Sequence, residues 1–493
     1  MVVAGPNIEI IIPLILYFIG VYLLGFYSLR FVSKATKRKG KGFLVEYLTG
    51  DRNLNGFVLA MTLVATYLSA GSFIGGPGTA YTIGLAWVFL AMSQMPTGYF
   101  TLAVLGKKFA IVARKINAVT VTDFLKERYE NKLLIIVVSI CIVFFFVAAM
   151  TAQFIGAARL IQGSIGLSYE AALIFFGITV LAYTIIGGFR AVSLSDALQG
   201  IVMTIGVSLV FIVAVISGGG IYNIMQDLYS IEPGLISPVG VDPEFTSIPW
   251  VSSFWILVGF GIIGLPQVAT RAMSYRDSNS LKSAIIYGTI VSMILLLLMH
   301  LLGVFGRVLI ADIPSGDLVV PMVTTVLFPN WVAGIILAAP LAAVMSTVDS
   351  QLLLAVGAVV NDVYTNLINP QVKRTAGISF AVAIALGAIV FISAFDPPEL
   401  MIWLNLHAIA GLIATFFWPV LLGLYWKRAN VAGAFASIIA GVGSYMYFFY
   451  FIPRPLGSHS IFATLLIALF AFVIFTYLTP KPAGHIIKKF WGV

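Results

Sequence analysis

Residues 60–81, AMTLVATYLSAGSFIGGPGTAY, begin as an uninterrupted apolar run and then meet Gly71-Ser72 and Gly75-Gly76-Pro77-Gly78. Proline lacks a backbone N–H and glycine readily adopts non-helical torsion angles, so the stretch predicts a break inside a membrane-spanning helix. Such a break frees backbone carbonyls and amides where no water can satisfy them, and it is tolerated only inside protein or beside a cavity. The sequence therefore places a candidate binding site at this break.

A second stretch of the same kind lies at residues 258–270, VGFGIIGLPQVAT, where glycines again precede a proline inside an apolar span. Paired interrupted spans in the two halves of a chain are typical of secondary transporters built from repeats. The alternative is that both stretches reflect only the higher frequency of Gly and Pro in membrane helices.

The composition excludes a water-soluble globular protein, because 60% of the 493 residues are hydrophobic and only 10% are charged. The apolar segments are too long for the alternating strands of a membrane β-barrel. We predict an all-α polytopic membrane protein with about thirteen transmembrane helices, at residues 8–29, 54–79, 82–106, 133–158, 169–187, 193–217, 250–270, 283–309, 331–357, 375–394, 400–425, 431–452 and 461–479.

The basic residues follow this topology. With the N-terminus outside and the C-terminus cytoplasmic, all but three of the 28 Lys and Arg residues fall in inner segments, and the exceptions are Arg159, Arg307 and Arg454. This distribution follows the positive-inside rule. The net charge of +9 is therefore explained by the lipid bilayer, and no nucleic-acid partner is predicted.

The two interrupted spans lie five spans apart, so they cross the membrane in opposite directions and predict inverted repeats. We divide the chain into a first helix with a basic inner linker (1–53), a first five-helix repeat (54–217), an outer loop (218–249), a second, inverted repeat (250–425) and two C-terminal helices with an inner tail (426–493). Cys141, the single cysteine, lies in an apolar helix and is predicted to be buried.

The ninth predicted helix carries adjacent hydroxyls, Ser346 and Thr347, on nearly the same face as Ala343. If that face meets the first break, the carbonyls of Ala65 and Leu68 complete a set of five neutral oxygens suited to a hard cation that binds and leaves in each cycle. The alternative is that both hydroxyls only bond to the carbonyl four residues earlier in their own helix.

Several stretches together resemble the sodium:solute symporter family: LAMTLVATYLSAGSFIGGPG, GGFRAVSLSDALQG, GFGIIGLP, AAPLAAVMST, PPELMIWLNL and WPVLLGLYWKRAN. The similarity covers nearly the full length. It implies a leucine-transporter-type fold of two inverted five-helix repeats, location in the plasma (inner) membrane, and sodium-coupled uptake of a solute with no cofactor besides the coupling ion. It also implies that the family's sodium site falls on Ala65, Leu68, Ala343, Ser346 and Thr347.

The resemblance also covers Asp196, a family position linked to sodium coupling, although an acid near a helix N-terminus is also favoured by the helix dipole. Where proline-transporting relatives carry an aspartate beside the sodium site, this chain has Tyr67, which argues against proline. Asp349 has no matching family position, and a vestibule-facing role and an ion role both stay open.

The solute is expected to be a small carboxylate, with pantothenate as the first candidate and another monocarboxylate or an amino acid as the alternative. Amides freed between Gly71 and Gly76 are predicted to receive the carboxylate, since half-helix N-termini favour anions. A helix-to-helix hydrogen bond is the alternative for each glutamine. The solute-binding candidates are Thr66, Ser69, Gly71, Ser72, Phe73, Gln94, Gln153 and Gln267, with Trp87 as a further wall residue.

Two other function classes compete with a symporter. A channel needs an open pore, whereas paired broken helices suit alternating access around a central site. An integral membrane enzyme needs a nucleophile–base set or a metal cluster, and the sequence has no His/Asp/Glu cluster at metal-ligand spacing. His300 and His407 are predicted to be packed interior histidines.

Overall fold

The computed structural model describes residues 6–39, 54–118, 120–242, 246–369 and 375–492, and these form helices joined by short connections. In chain order the helices are α1 Ile8–Lys39, α2 Gly56–Tyr67, α3 Gly71–Ile83, α4 Leu85–Lys115, α5 Val121–Tyr129, α6 Lys132–Ile165, α7 Tyr169–Ser217, α8 Ile221–Ile231, α9 Ile248–Gly264, α10 Pro266–Ala272, α11 Ser278–Leu309, α12 Val319–Leu327, α13 Asn330–Ile368, α14 Thr375–Ser393, α15 Ile402–Tyr425, α16 Val431–Phe451, α17 Ser460–Leu478 and α18 Gly484–Trp491.

The spans correspond to those predicted. Within the described ranges, nine helices are long and apolar enough to cross a membrane, and the bent pairs α2–α3 and α9–α10 bring the number to 11. Two shorter apolar helices, Ile8–Leu23 in α1 and Tyr169–Ala182 in α7, occupy the positions of the first and fifth predicted spans. The chain is therefore a multi-pass membrane protein.

Helix α7 contains both the fifth and the sixth predicted spans. Its 49 residues would extend about 73 Å if straight, more than twice the hydrocarbon core. The Phe18 and Phe175 rings lie 5.7 Å apart, and the Tyr17 hydroxyl accepts a hydrogen bond from Gln199. A straight helix would separate residues 175 and 199 by about 36 Å, too far for two neighbouring side chains to bridge, so α7 turns back between them.

The first helix break differs in position from the prediction. Helix α2 ends at Tyr67, Leu68 is extended (φ −74°, ψ 122°), and α3 leaves at an angle of 69°. The bend therefore precedes the glycines. Pro77 lies in the first turn of the regular part of α3, where its missing N–H costs nothing, and the predicted break at Gly75–Gly78 is wrong.

The glycines of α3 instead permit close packing. A Cβ on Gly75 would lie 2.6 Å from Met401 Sδ, and one on Gly76 would lie 2.3 Å from His300 Nε2. A Cβ on Gly78 would meet the backbone of Gly316 at 2.6 Å. The glycine-rich sequence thus brings α3 against α11, α15 and the segment before α12.

The second break lies where the sequence predicts it. A 3-10 turn, Gly261–Gly264, is followed by extended Leu265, and α10 begins at Pro266 at an angle of 57° to α9. Proline disfavours helical torsions in the residue before it, which explains the extended Leu265.

Helix α13 forms the centre of the bundle. Every residue from Ile336 to Gly357 is buried, and the helix packs against α1, α2, α6 and α7. A helix that is apolar all round belongs in such a position, so the hydroxyls and the acid that interrupt its apolar sequence must lie inside the protein.

The connecting segments add three observations. Helix α1 continues to Lys39, beyond the predicted span, while residues 40–53 of the predicted basic linker lie outside the described residues. The basic stretch after the third span continues α4 to Lys115 and then forms the separate helix α5. The predicted outer loop contains α8.

We predict that Gly303→Ala destabilises the protein, because the new Cβ would lie 2.2 Å from the Pro77 carbonyl oxygen, a backbone atom that cannot move aside. Overpacking of this kind costs about 1–3 kcal/mol or more. The measurement is the thermal unfolding midpoint of purified protein, with Gly443→Ala as the control because the space around Gly443 is open. Equal midpoints for the two variants would contradict the packing assigned to α3 and α11.

Candidate functional site

The five oxygens predicted from the sequence lie together. Ser346 Oγ lies 2.7 Å from the Ala65 carbonyl oxygen and 3.0 Å from that of Ala343. Thr347 Oγ1 lies 2.9 Å from the Ala343 carbonyl oxygen and 3.4 Å from that of Leu68. The group joins the end of α2 to the middle of α13, and all five residues are buried.

This arrangement contains more acceptors than protons. Ser346 Oγ also lies 2.9 Å from the Ala342 carbonyl oxygen, so three carbonyls surround one hydroxyl. A serine hydroxyl has a single proton and donates fully to one acceptor at a time. The last backbone bond of α2 runs from Leu68 N–H to Val64, so the Ala65 and Leu68 carbonyls lie beyond the helical ladder. A cation is the species that can satisfy several such oxygens at once.

The alternative interpretation of these hydroxyls is also present in the structure. Ser346 and Thr347 contact the carbonyls of Ala342 and Ala343, four residues earlier in each case. The same hydroxyls also contact the carbonyls of Ala65 and Leu68 at the first break, so each hydroxyl has carbonyl neighbours both in its own helix and across the break.

Asp196 lies in a second polar cluster next to α13. Its Oδ2 accepts hydrogen bonds from the Thr62 hydroxyl at 2.7 Å and from Arg271 Nη2 at 3.3 Å. Arg271 Nη2 also donates to Ser350 Oγ at 2.6 Å. Arg271 is 1% exposed, so its assignment to a cytoplasmic loop is wrong: α10 continues to Ala272 and carries it into the protein. Thr66, predicted to contact solute, is buried and is not among the residues that line the central cavity described below.

Asp349 is fully buried beside the same cluster, which argues against the vestibule-facing alternative. Its Oδ1 accepts a short hydrogen bond from the Thr184 hydroxyl, while its Oδ2 has no hydrogen-bond partner among the residues that the structure describes. Asp196 and Arg271 are both close enough to interact with it electrostatically. Two acidic side chains and one guanidinium therefore lie in the same buried cluster.

A small central cavity of about 30 Å³ lies at the first break. Four of the residues predicted to bind solute line it, together with the predicted wall residue Trp87: Ser69, Gly71, Ser72 and Gln94. The sequence did not indicate the remaining lining residues as solute contacts: Tyr67, Leu90, Phe254, Val258, His300, Ile402, Asn405, Leu406 and Ile409.

The backbone amides at the start of α3 are already bonded. Ala70 N–H donates to Gln153 Oε1 at 2.8 Å, and Gly71 N–H donates to Ser69 Oγ at 3.2 Å. The amides of Ser72 and Phe73 donate to the Ser69 carbonyl. The prediction that these amides are free for a carboxylate is wrong for this structure, because Ser69 and Gln153 supply the acceptors.

Gln153 makes the helix-to-helix contacts that were the alternative to solute binding. Besides accepting from Ala70, it donates through Nε2 to Asn405 Oδ1 at 3.1 Å and so orients a residue that does line the cavity. Asn405 was missed although an amide inside an apolar span was a usable signal. Phe73 and Gln267 are buried and are not among the residues that line this cavity.

His300 is 1% exposed, as predicted, yet it also lines the cavity. Its Nδ1 lies 2.7 Å from the Leu296 carbonyl oxygen, which can only accept, so Nδ1 carries the proton. Nε2 is therefore the ring atom turned toward Gly76. His407, by contrast, packs against Tyr445 and Phe449 and accords with the packed role predicted for it.

The model of the Sodium:solute symporter family matches residues 47–441. The chain belongs to this family. It is 46% identical over 438 residues to the sodium/pantothenate symporter of Escherichia coli K12, covering 88% of this chain and 89% of that protein. It is 43% identical over 443 residues to the sodium/pantothenate symporter of Haemophilus influenzae, covering 89% and 90%. The osmoregulated proline transporter of Bacillus subtilis is 29% identical over 447 residues, covering 89% of this chain and 88% of that protein.

Solved structures share the fold. One is a substrate-bound, outward-open sodium-coupled sialic acid symporter, with a TM-score of 0.77 and 19% sequence identity. The superposition covers 96% of this chain and 99% of the symporter chain. The transporter Mhp1 in a closed conformation matches 90% of this chain and 97% of its own, with a TM-score of 0.52 and 13% identity. The chain therefore has the leucine-transporter-type fold that the sequence predicted.

Proposed function

We propose that the protein takes up pantothenate together with sodium by alternating access, from outside to cytoplasm across the inner membrane. The observation that carries this proposal is the adjacency of the two candidate sites at one helix break. Leu68 contributes a carbonyl to the cation site, and Ser69, the next residue, lines the central cavity. A change at either site thus acts on the same extended segment of backbone.

The central cavity supports a small polar solute. Its wall combines hydroxyl and amide groups with aromatic and aliphatic surface, which suits a molecule with one carboxylate, an amide, hydroxyls and a branched apolar chain. Both sodium/pantothenate symporters among the relatives match along most of their length. At about 30 Å³ the cavity holds roughly one water, so the helices around it must move before a solute enters.

The proposal includes the finer assignments made from the sequence. The N-terminus lies outside and the C-terminus in the cytoplasm. Residues 54–217 and 250–425 form the two inverted repeats, and sodium is the only bound group that transport needs. A small closed cavity between broken helices supports a carrier over a channel, and membership of a transporter family supports a carrier over an enzyme.

Uptake of radiolabelled pantothenate into proteoliposomes tests the function directly. We expect accumulation with an inward sodium gradient and none with an equal potassium gradient. Unlabelled proline should compete weakly, since Tyr67 occupies the position of the aspartate in proline-transporting relatives. If the protein takes up another carboxylate with sodium but does not take up pantothenate, sodium-coupled symport is supported and the assignment of pantothenate is wrong. Uptake that follows the solute gradient alone would reject the symporter.

Ser346→Ala and Thr347→Ala should each raise the sodium concentration needed for half-maximal uptake, because each removes one cation oxygen. Losing one buried polar contact costs about 1–3 kcal/mol of binding free energy, so the sodium concentration for half-maximal uptake should rise roughly 5- to 150-fold. Ser379→Ala is the matched control, since Ser379 is a buried helical serine bonded to the carbonyl four residues earlier. If all three variants fold and share the wild-type sodium dependence, the cation site lies elsewhere.

The Asp196 cluster supports a second cation. At about 100 mV, one net charge moved inward supplies about 2.3 kcal/mol, and a tenfold sodium gradient supplies about 1.4 kcal/mol per ion. One sodium with a monoanion moves no net charge and gives only about tenfold accumulation. A second sodium raises the driving force to about 5 kcal/mol, which corresponds to several thousandfold accumulation. The additional ion is expected to bind at the buried carboxyl groups of Asp196 and Asp349, because Asp349 Oδ2 has no hydrogen-bond partner among the described residues.

Solute-evoked current in proteoliposomes measures this stoichiometry. We expect inward current on addition of pantothenate under a sodium gradient, and we expect Asp196→Asn and Asp349→Asn to reduce the charge moved per solute. Asp227→Asn in α8, outside the predicted spans, is the control. Electroneutral uptake of pantothenate by the wild type would rule out the second ion.

A further inference from the structure

Two spaces meet where α6, α16 and α17 reach one face of the membrane. The first, here called the tail groove, has a volume of about 610 Å³ and is lined by apolar residues that include Leu133, Phe435, Ala436, Ala440 and Ala471. The second, here called the basic cavity, has a volume of about 320 Å³ and lies beyond the helix ends, beside Arg128, Asn430 and Lys481. Val431 and Ala432 line both, so the two spaces lie side by side at the start of α16.

The dimensions of the tail groove match one leaflet of the bilayer. It follows α16 from Val431 to Ala440, which is about 13 Å along a helix axis. Half of the hydrocarbon core is about 15 Å deep. The basic cavity at its end, beside Pro480 and Lys481 just after α17, therefore lies at the depth of lipid headgroups.

Arg128 is a buried cation whose contacts are neutral. It is 1% exposed, and it donates to the carbonyl oxygens of Gly423, Trp426, Lys427 and Ala429 at 2.8–3.4 Å. Its guanidinium also lies over the rings of Tyr129, Phe490 and Trp491. Within the described part of the chain, Nη1 has no hydrogen-bond partner. Buried charges are normally paired, so this site favours an additional anion.

Most of the charged residues around the basic cavity are cations. Lys481 lines it and is exposed, and Lys132 lies between two groove residues at the start of α6. Glu130, the acid in the cavity wall, is engaged by His485 Nε2 at 2.9 Å. An anion in this cavity thus meets two or three cations and one acid that already has a partner.

We propose that the basic cavity and the tail groove together bind an anionic phospholipid of the inner leaflet, with its phosphodiester beside Arg128 and Lys481 and an acyl chain along α16. An apolar groove directly beside a basic cavity favours a lipid over free phosphate. A larger groove of about 730 Å³ between α6, α13 and α14 is lined by apolar residues and hydroxyls such as Ser139 and Thr151, and none of the described residues in its wall is basic. That groove contacts lipid tails without selecting a headgroup.

Lipid retention tests the proposal. Purified protein is equilibrated with equal amounts of phosphatidylglycerol and phosphatidylcholine in detergent micelles, and bound lipids are counted by native mass spectrometry. We expect the wild type to retain phosphatidylglycerol preferentially. Removing one lysine at a membrane surface weakens anionic lipid binding about fivefold, so Lys481→Gln should lower the preference by about that factor. Arg128 is left unchanged, because its substitution would strand four backbone carbonyls.

Two further variants distinguish lipid bound in the tail groove from lipid that contacts the protein surface nonspecifically. Ala436→Phe fills the tail groove and should reduce retained phosphatidylglycerol, whereas Ala148→Phe, in the groove without basic residues, should leave it unchanged. Equal retention of the two lipids by the wild type, or unchanged preference in both Lys481→Gln and Ala436→Phe, would overturn the proposal. If inorganic phosphate displaces the lipid and Ala436→Phe has no effect, the cavity is an anion site and the lipid assignment is wrong.

Discussion

The contact between the end of α2 and the middle of α13 constrains the rest of the structure. Carbonyls released by a helix end are costly in a membrane interior unless something satisfies them. Here Ser346 and Thr347 reach the carbonyls of Ala65 and Leu68. The hydroxyls lie in the buried stretch of α13 from Ile336 to Gly357, so this part of α13 takes the centre of the bundle. The angle between α2 and α3 then fixes where the central cavity opens.

Much of this arrangement was predictable from residue types. The spans follow from runs of apolar residues, and the second break follows from Pro266, whose effect on Leu265 is local. The first break was predicted a few residues too late. Its bend arises at Leu68, which has no local sequence signal, because Gln153 and Ser69 supply the acceptors that let the chain re-enter a helix. Those partners come from tertiary packing, which a single segment does not reveal.

The same distinction applies to individual site residues. Ser346, Thr347, Ser69 and Gln94 lie where their polarity inside apolar spans indicated. Arg271, one residue beyond the predicted span 250–270, was assigned to a cytoplasmic loop with the other inner basic residues under the positive-inside rule. Its burial depends on Asp196, which is distant in sequence, and charge pairing of this kind cannot be read from a pattern along one helix.

The candidate ion and solute sites share one backbone break, so binding at one is expected to affect the other directly. A cation held by the Leu68 carbonyl would restrict the backbone of the break at Leu68 and Ser69, and that break also positions Ser69 and Gly71 in the cavity wall. A cavity whose polar groups are fixed in advance binds its solute with a smaller entropy cost. Linkage requires the reverse effect to be equal, so a solute bound against Ser69 strengthens the hold on the cation. Neutral oxygens suit this role, because a carboxylate in the same position would hold the ion whether or not solute was bound.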